Sequence, residues 1–511
     1  MFNYLKVFLF RENSLRGASW ILVITLAFSN LLGVVRDHFL TQYLPTERLD
    51  IYYAAFRLPD LVFNLLILGA IAAAVIPVLS RELKKNEAEA WRAASNLINV
   101  GLVILVVILG LLYLLLPIIL PVIFAEFDTA KIQETITLGR WMLLSPLFFA
   151  TSYFLGSILN IKKRFTIYAL APLFYNAAII AATILGAERW GIRAPVAGVI
   201  LGAFLHMVIQ APAVWALGFR PRPILSFKDP VVYRIYRLML PRSLALGANQ
   251  LQLLVFTIFA SVIPGAIAVY NLADNIQTVP TVILGNSLAT ATFPRLAHLY
   301  DDNKDAFRGL LIKTIRLILV LIVPGTVGLF LLRAQVVRLI LGYGEFGWSD
   351  TRAVVDTVGL FALGIVAQGL LPLLSRAFYA LEDSFFPMKV TLWSVVVGIA
   401  GGYVGLQYLG VAGLALGFSI AGWVSCLWLL WELEKRVALR LGDVFWGVIG
   451  KVLFLTITMA FLMQVSKMMM AHFVDIDTVF GLLAQTVAAI CVGVFYYLGG
   501  AWLWRVPEIR K

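Results

Sequence analysis

The sequence predicts an all-α polytopic membrane protein of about fourteen transmembrane helices, and three observations predict it. Of its 511 residues, 61% are hydrophobic and 14% are charged, with a mean hydropathy of +0.91, whereas a water-soluble domain carries about a quarter of its residues as Asp, Glu, Lys or Arg. The apolar residues are grouped in blocks: Leu97 to Ile123, Leu392 to Leu406 and Val411 to Trp431 contain no charged side chain. With their flanks, such blocks reach the ~20 residues that cross roughly 30 Å of hydrocarbon. Finally, lipid offers the backbone no hydrogen-bond partner, so each block satisfies its own N–H and C=O groups by becoming a helix.

The apolar blocks place helices near 18–40, 51–80, 94–122, 136–160, 165–186, 194–218, 238–262, 267–298, 309–332, 354–381, 387–408, 411–434, 444–466 and 479–504. Lys6, Arg11 and Arg16 precede the first, whose apolar run from Ala18 to Val35 is too long for a cleaved signal and reads as a retained helix. With the N-terminus in the cytoplasm, cytoplasmic connections hold about 29 of the 41 Lys and Arg residues. Loop 219–242 carries Arg220, Arg222, Lys228, Arg234, Arg237 and Arg242, and loop 81–92 carries Arg81, Lys84, Lys85 and Arg92. Connections 263–266 and 407–410 carry none. Both termini are therefore expected in the cytoplasm, which requires an even helix count. This distribution accounts for the net charge of +13 without invoking nucleic acid. Cys426 and Cys491 both fall inside apolar runs and read as small core residues rather than a disulfide.

The chain repeats itself. Ala72, Ala74, Pro77, Leu79 and Asn86 recur 217 residues later as Ala289, Ala291, Pro294, Leu296 and Asn303, and Tyr53 recurs as Tyr270. Both copies end a second helix and enter a charged loop. Two parallel six-helix halves are a common transporter plan. The expected organisation is two pseudo-symmetric lobes plus two C-terminal helices: an N-lobe at 1–218 with helices one to six, a cytoplasmic linker at 219–237, a C-lobe at 238–435 with helices seven to twelve, and helices thirteen and fourteen at 436–511.

Polar groups at bilayer depth usually face the bundle interior. In the first helix Thr25, Ser29, Gly33 and Arg36 fall on one stripe, with Asn30 one position off it. The seventh holds Asn249, Gln250 and Gln252; the eighth holds Asn271, Asn275 and Thr278 on one face, with Asp274 beside them. These side chains either line a central cavity or serve as interhelical hydrogen-bond glue. Arg36, next to Asp37, either snorkels to the headgroups or clamps a phosphate with its planar fork. Arg57-Leu58-Pro59-Asp60 is read as opening the second helix, with Pro59 near its start. Pro280 and Gly285 sit inside the eighth helix and are expected to bend it. Nothing points to an enzyme, a metal or a cofactor. His38, His206, His298 and His472 lie in unrelated segments without metal-ligand spacing, and neither a nucleophile elbow nor a Walker P-loop is present. Asp274 is the acid best placed for a proton relay.

Several segments carry a family resemblance. Gly33-x-x-Arg36-Asp37, then Asp50, then Phe56-Arg57-Leu58-Pro59-Asp60 resembles the first two helices of the MurJ/MviN family of lipid II flippases, within the multidrug/oligosaccharidyl-lipid/polysaccharide exporter superfamily. Tyr270-x-x-Ala273-Asp274 with Pro280 to Leu296 is similar to that family's eighth helix. Tyr343-Gly344-x-Phe346 and Phe378-Tyr379-Ala380-Leu381-x-Asp383, ending in Pro387-x-Lys389, resemble the segments around its tenth and eleventh. The resemblance implies that a polyprenyl-pyrophosphate-linked peptidoglycan precursor, lipid II, crosses the inner membrane by alternating access of two lobes around a cationic cavity. It also implies a groove by helices thirteen and fourteen for the polyprenyl tail, contact with membrane lipids and room for a coupling cation.

The expected substrate-binding residues are Arg36, Asp50, Arg57, Ser29, Asn30, Asn249, Asn271, Asp274 and Asn275, of which Arg36 and Asp50 match functionally important family positions. Where the family usually has further arginines this chain has Asn30, Phe63 and Asn275. Replacement charge then comes from Arg57 or Arg376, or else the headgroup differs. The alternatives are an exporter of another lipid-linked oligosaccharide, a cation-coupled small-molecule exporter, or a non-transporting membrane scaffold for cell-wall enzymes. A cavity plugged by Phe63 would favour the scaffold.

Overall fold

The computed structural model describes residues 15–68, 75–439 and 441–509, and among them every regular element is a helix. Two compact units are present, residues 1–268 and 269–511. The first contains α1 (Leu15–Tyr43), α2 (Thr46–Val62) with a π-helical turn at Phe63–Leu68, α3 (Ile76–Lys85), α4 (Glu87–Ile123), α5 (Thr129–Met142), α6 (Leu144–Ile161), α7 (Phe165–Trp190), α8 (Arg193–Val208), α9 (Ala211–Ala216) and α10 (Pro230–Ala260). Helix α11 (Ala266–Pro280) begins at the end of this unit. The second unit continues with a π-helical turn at Thr281–Asn286, α12 (Ser287–Asp302), α13 (Lys304–Leu341), α14 (Trp348–Ala380), α15 (Phe385–Leu409), α16 (Val411–Val437), α17 (Asp443–Phe473) and α18 (Val479–Leu503).

By length and composition, ten of the described helical segments can cross a membrane. On α4 the outward face carries Val106, Val107, Leu111, Leu114, Ile118 and Val122, all exposed. A stripe of that size would be a liability in water and is the normal surface in hydrocarbon. Cys426 is buried and free, while Cys491 is free but exposed on α18, so only Cys426 is a core residue.

Several helices begin earlier than hydropathy indicates, because polar caps rather than apolar residues start them. The Asn86 side chain accepts from the Ala88 and Glu89 N–H groups (3.0 and 3.3 Å), and Asn303 accepts from Ala306 N–H (2.9 Å). Asp229 accepts from Val231 and Val232 N–H ahead of Pro230, so α10 starts inside the predicted loop 219–242. Helix α2 starts at Thr46, which corrects the reading of Pro59 as a helix-start residue: Pro59 lies well inside α2, four residues ahead of the π turn. A proline removes one ladder bond, and the turn re-registers the helix beyond it. Pro280 is followed by a π turn in the same way.

Backbone features extend the repeat seen in sequence. The capping asparagines are 217 residues apart and share extended geometry (φ −154° and −157°). Left-handed Lys163 and Glu382 (φ 57° and 59°) are 219 apart, as are Gly191 and Gly410 (φ 52° and 59°). Packing partners repeat too: α8 packs on α6 and α7 in the first unit, as α16 packs on α14 and α15 in the second. The close approach of α15 and α16 rests on Gly405 against Gly413, the small-residue contact that lets membrane helices touch backbone to backbone. The family-like segment around Asp383 is a structural latch: its carboxylate accepts from Phe386 N–H (2.9 Å) and from Arg436 Nη1 (2.6 Å), and the guanidinium lies over the Phe378 and Phe386 rings.

Candidate functional site

In the first unit, α1, α2, α6, α7 and α8 enclose a cavity of about 270 Å³. Arg36 and Asp60 reach it from α1 and α2; Phe56, Phe63, Phe149, Tyr153, Tyr175 and His206 supply aromatic walls. Phe63 sits 5.2 Å from Phe149 and 5.3 Å from Tyr153, centroid to centroid, so it belongs to the wall and leaves the cavity open.

Helical spacing carries Arg36 into this space, and α7 holds it there. Its Nε and Nη2 donate to Asp37 Oδ1 (3.0 and 2.8 Å), and Nη1 donates to Asn176 Oδ1 (3.4 Å). Asn176 Nδ2 in turn donates to the Ser29 carbonyl (3.3 Å), tying α7 to α1. Asp37 is 2% exposed, so the pair is a nearly dry one in which the guanidinium keeps only part of its hydrogen-bonding capacity.

The structure places Asp50 elsewhere. It is fully buried and lines no described cavity. Oδ2 accepts from Lys131 Nζ (3.1 Å) and from Gly265 N–H (2.7 Å), and Oδ1 accepts from Ala268 N–H (3.0 Å). It thus caps the start of α11 and neutralises Lys131, which also stacks 3.9 Å from the Phe127 centroid. Gly265 presents its N–H from a left-handed backbone (φ 78°) that a side chain would strain.

The other expected residues divide. Ser29, Asn30, Asn271, Asp274 and Asn275 are half-buried, and Asp274 accepts from Gln277 Nε2 (2.8 Å). Arg57 is 6% exposed in α2, with its charge and that of Asp60 acting on each other. Asn249 is exposed on α10, while the neighbouring Gln252 is buried. Of the expected set, the structure brings Arg36 alone to the cavity lining.

Sequence reasoning missed three groups. Lys131 and Asn176 are the partners of Asp50 and Arg36, yet Lys131 is one of several polar residues at the start of α5 and Asn176 a lone amide in α7, with no signal of pairing. His206 lines the cavity, with Ser152 Oγ 2.6 Å from its Nδ1 and 2.8 Å from its carbonyl oxygen, and Gln210 Nε2 donates to that hydroxyl (2.6 Å). Ser152 lies on α6, His206 on α8 and Gln210 in the turn that follows it, and only the fold brings them together.

The second unit has two features of its own. Arg376 of α14 donates from Nη1 and Nη2 to Asn286 Oδ1 (3.2 and 3.1 Å), from Nη2 to Thr290 Oγ1 (2.9 Å) and from Nη1 to the Pro372 carbonyl (3.3 Å). Between α13, α17 and α18 lies an apolar groove of about 450 Å³, walled by residues such as Pro324, Gly328, Met459, Met463 and Gly493.

The profile of the lipid II flippase MurJ family matches residues 46–485. A Rickettsia prowazekii protein named probable lipid II flippase MurJ is 25% identical over 94% of this chain and 95% of its own. The Burkholderia cenocepacia lipid II flippase MurJ is 26% identical over 80% and 81%. Among solved structures, a lipid II flippase MurJ in an inward closed conformation superposes with a TM-score of 0.79 at 23% identity, covering 96% of this chain and 99% of that one. A MATE family multidrug transporter of the MOP superfamily gives 0.68 at 16% identity, covering 81% and 96%. The chain is a multi-pass membrane protein, and it belongs to the lipid II flippase MurJ family.

Proposed function

We propose that this protein moves lipid II, a polyprenyl-pyrophosphate-linked peptidoglycan precursor, across the bacterial inner membrane by alternating access of two lobes. The observation that carries this reading is the groove between α13, α17 and α18, lined by apolar residues and Tyr497. An isoprenoid tail is the kind of ligand such a wall retains, since each buried CH₂ contributes about 0.8 kcal/mol. The names carried by the relatives support it. The open cavity beside Phe63 supports a transporter over a scaffold. Phe63 also lends weight to a second reading: an aromatic wall where the family usually has arginine suits a lipid-linked glycan with a different headgroup.

The reading includes fourteen spans, lobes at 1–218 and 238–435 joined by the linker 219–237, and a C-terminal pair of helices at 436–511. Both termini lie in the cytoplasm, as the Lys and Arg skew supports. Asp274 is the acid assigned to a proton relay in this reading. Complementation of a strain depleted of its own lipid II flippase tests the function: growth and normal shape are expected, and lysis in cells with this protein in the membrane would contradict it.

A further inference from the structure

We propose that Arg333 and Lys467 form a headgroup site at one end of the apolar groove of the second unit, holding the phosphate of an anionic phospholipid while an acyl chain lies along the groove wall. The inference goes beyond the substrate reading and takes from it only the topology, which puts this end of the groove at the outer leaflet.

The groove stops where polar residues begin. Its walls include Leu332 and Val336 on α13, Met463 on α17 and Ile490 on α18. Lys467 lies one turn beyond Met463 on the same face of α17, and Gln485 lies outward of Ile490 on α18. Lys467 Nζ donates to the Leu331 carbonyl of α13 (3.0 Å), Gln485 Nε2 donates to the Lys467 carbonyl (2.9 Å), and Gln335 Nε2 donates to Gln485 Oε1 (3.4 Å). These bonds tie the three helices together and fix the ammonium between them, whereas a snorkelling lysine leaves its head in water. Arg333 is near enough that its charge and that of Lys467 act on each other. Its stem packs on Gly359 of α14, where a Cβ would lie 3.3 Å from Arg333 Cδ, and its guanidinium lies 4.4 Å from the Phe330 centroid.

Charge accounting along α13 singles out this end. Arg316, one turn inward of Val320, pairs with Glu508 (2.8 Å), and Arg338, further outward, pairs with Asp477 (3.8 Å). Between them, Arg333 and Lys467 have no carboxylate within ion-pair distance among the described residues. Arg333 Nη1 donates to the Phe330 carbonyl (2.7 Å), so the partners of both cations are neutral backbone oxygens. Two like charges side by side in spanning helices are costly without a counter-ion. The repeat does not call for them either: at the 217-residue offset the counterpart of Arg333 is Leu116, apolar and buried.

A phospholipid phosphate supplies what is missing. Arg333 Nη2 and two of the three Lys467 N–H groups make no hydrogen bond among the described residues, and both side chains are half-buried, so an anion reaches them. Both lie within the last three turns of helices ending at Leu341 and Phe473, where headgroups border hydrocarbon. Basic pockets between membrane helices select anionic headgroups. A zwitterionic head would bring an ammonium back toward the two cations.

Native mass spectrometry of the purified full-length protein tests the site, with phosphatidylglycerol and phosphatidylethanolamine of identical chains. Wild type is expected to hold one phosphatidylglycerol about tenfold more tightly, the scale of one charge-assisted contact. A photoreactive group on its acyl chain should label the groove wall at Met459 or Met463. Arg333→Gln combined with Lys467→Gln should lose the preference, and Lys467→Arg should keep it. Equal affinity for the two lipids in wild type overturns the site whatever the variants do. So does a preference retained by a double variant that melts like wild type, or labelling confined to other helices. Undecaprenyl diphosphate, measured in parallel, should bind wild type and the double variant alike. A fall matching that of phosphatidylglycerol would assign the two cations to the substrate and overturn the phospholipid site, leaving the substrate reading intact. A wild type that binds phosphatidylglycerol as expected but no undecaprenyl diphosphate would count against the substrate reading alone.

Discussion

Replacing Asp50 by alanine separates a structural carboxylate from a substrate-binding one. The side chain is fully buried and receives three donors: the Gly265 N–H at 2.7 Å, the Ala268 N–H at 3.0 Å and Lys131 Nζ at 3.1 Å. Asp50→Ala strands two backbone donors at the start of α11 and one ammonium. Each buried donor left unsatisfied costs about 1–3 kcal/mol, and breaking a buried ion pair by removing one partner costs about 3–5 kcal/mol. Lys131 retains some water and the Phe127 ring, with its side chain 17% exposed, which trims the electrostatic share. The two stranded N–H groups alone account for about 2–6 kcal/mol, so with a reduced share for Lys131 the expected loss is about 4–8 kcal/mol, read as a fall in melting temperature of the detergent-solubilised protein without substrate. Asp50→Asn should lose less, since its amide oxygen still accepts one N–H. Combining Asp50→Asn with Lys131→Gln should cost less than the sum of the two, because the partners couple. If Asp50→Ala melts like wild type and yet abolishes transport, the capping role is wrong and the carboxylate acts on the substrate.

Three further outcomes are expected. Arg36→Ala should abolish transport while the protein stays in the membrane, and Arg36→Lys should restore part of it, as an ammonium keeps the charge beside Asp37 but loses the fork; normal transport by Arg36→Ala would leave Arg36 a snorkelling residue. Gly285→Ala should destabilise the protein by about 1–3 kcal/mol through overpacking against Gly369, whereas Gly33→Ala, with nothing within 4 Å of the added carbon, should melt at or above wild type. A cysteine at Asn303, in a background lacking Cys426 and Cys491, should react with an impermeant reagent only after the cells are opened. Labelling in intact cells would refute the cytoplasmic placement.

The helical class and the order of the apolar segments were legible because hydrocarbon imposes one secondary structure on every spanning block. The repeat was legible from Pro77, Asn86 and their later copies, since capping and small residues recur wherever the backbone does. Helix starts were less legible. Asn86, Asp229 and Asn303 begin helices in polar sequence, which hydropathy assigns to loops. Arg36 reached the cavity because its stripe follows helical periodicity. Asp50 did not, because a buried carboxylate on a helix has the same sequence signature whether it binds substrate or caps a distant helix. Arg376 was named from the sequence beside Arg57, but that its hydrogen-bond partners are neutral is a property of packing that a single sequence does not carry.

Transfer of lipid II between the leaflets of proteoliposomes containing only this protein is the direct measurement. Lipid II with a fluorophore on its peptide, placed in both leaflets, is exposed to a membrane-impermeant quencher after reconstitution and sealing. Active protein should let the quencher consume the inner-leaflet pool as it is brought outward, with Arg36→Ala liposomes retaining the protected fraction. Protection in wild-type liposomes equal to that in protein-free ones, with the protein folded and inserted, would contradict the assignment of lipid II as the substrate.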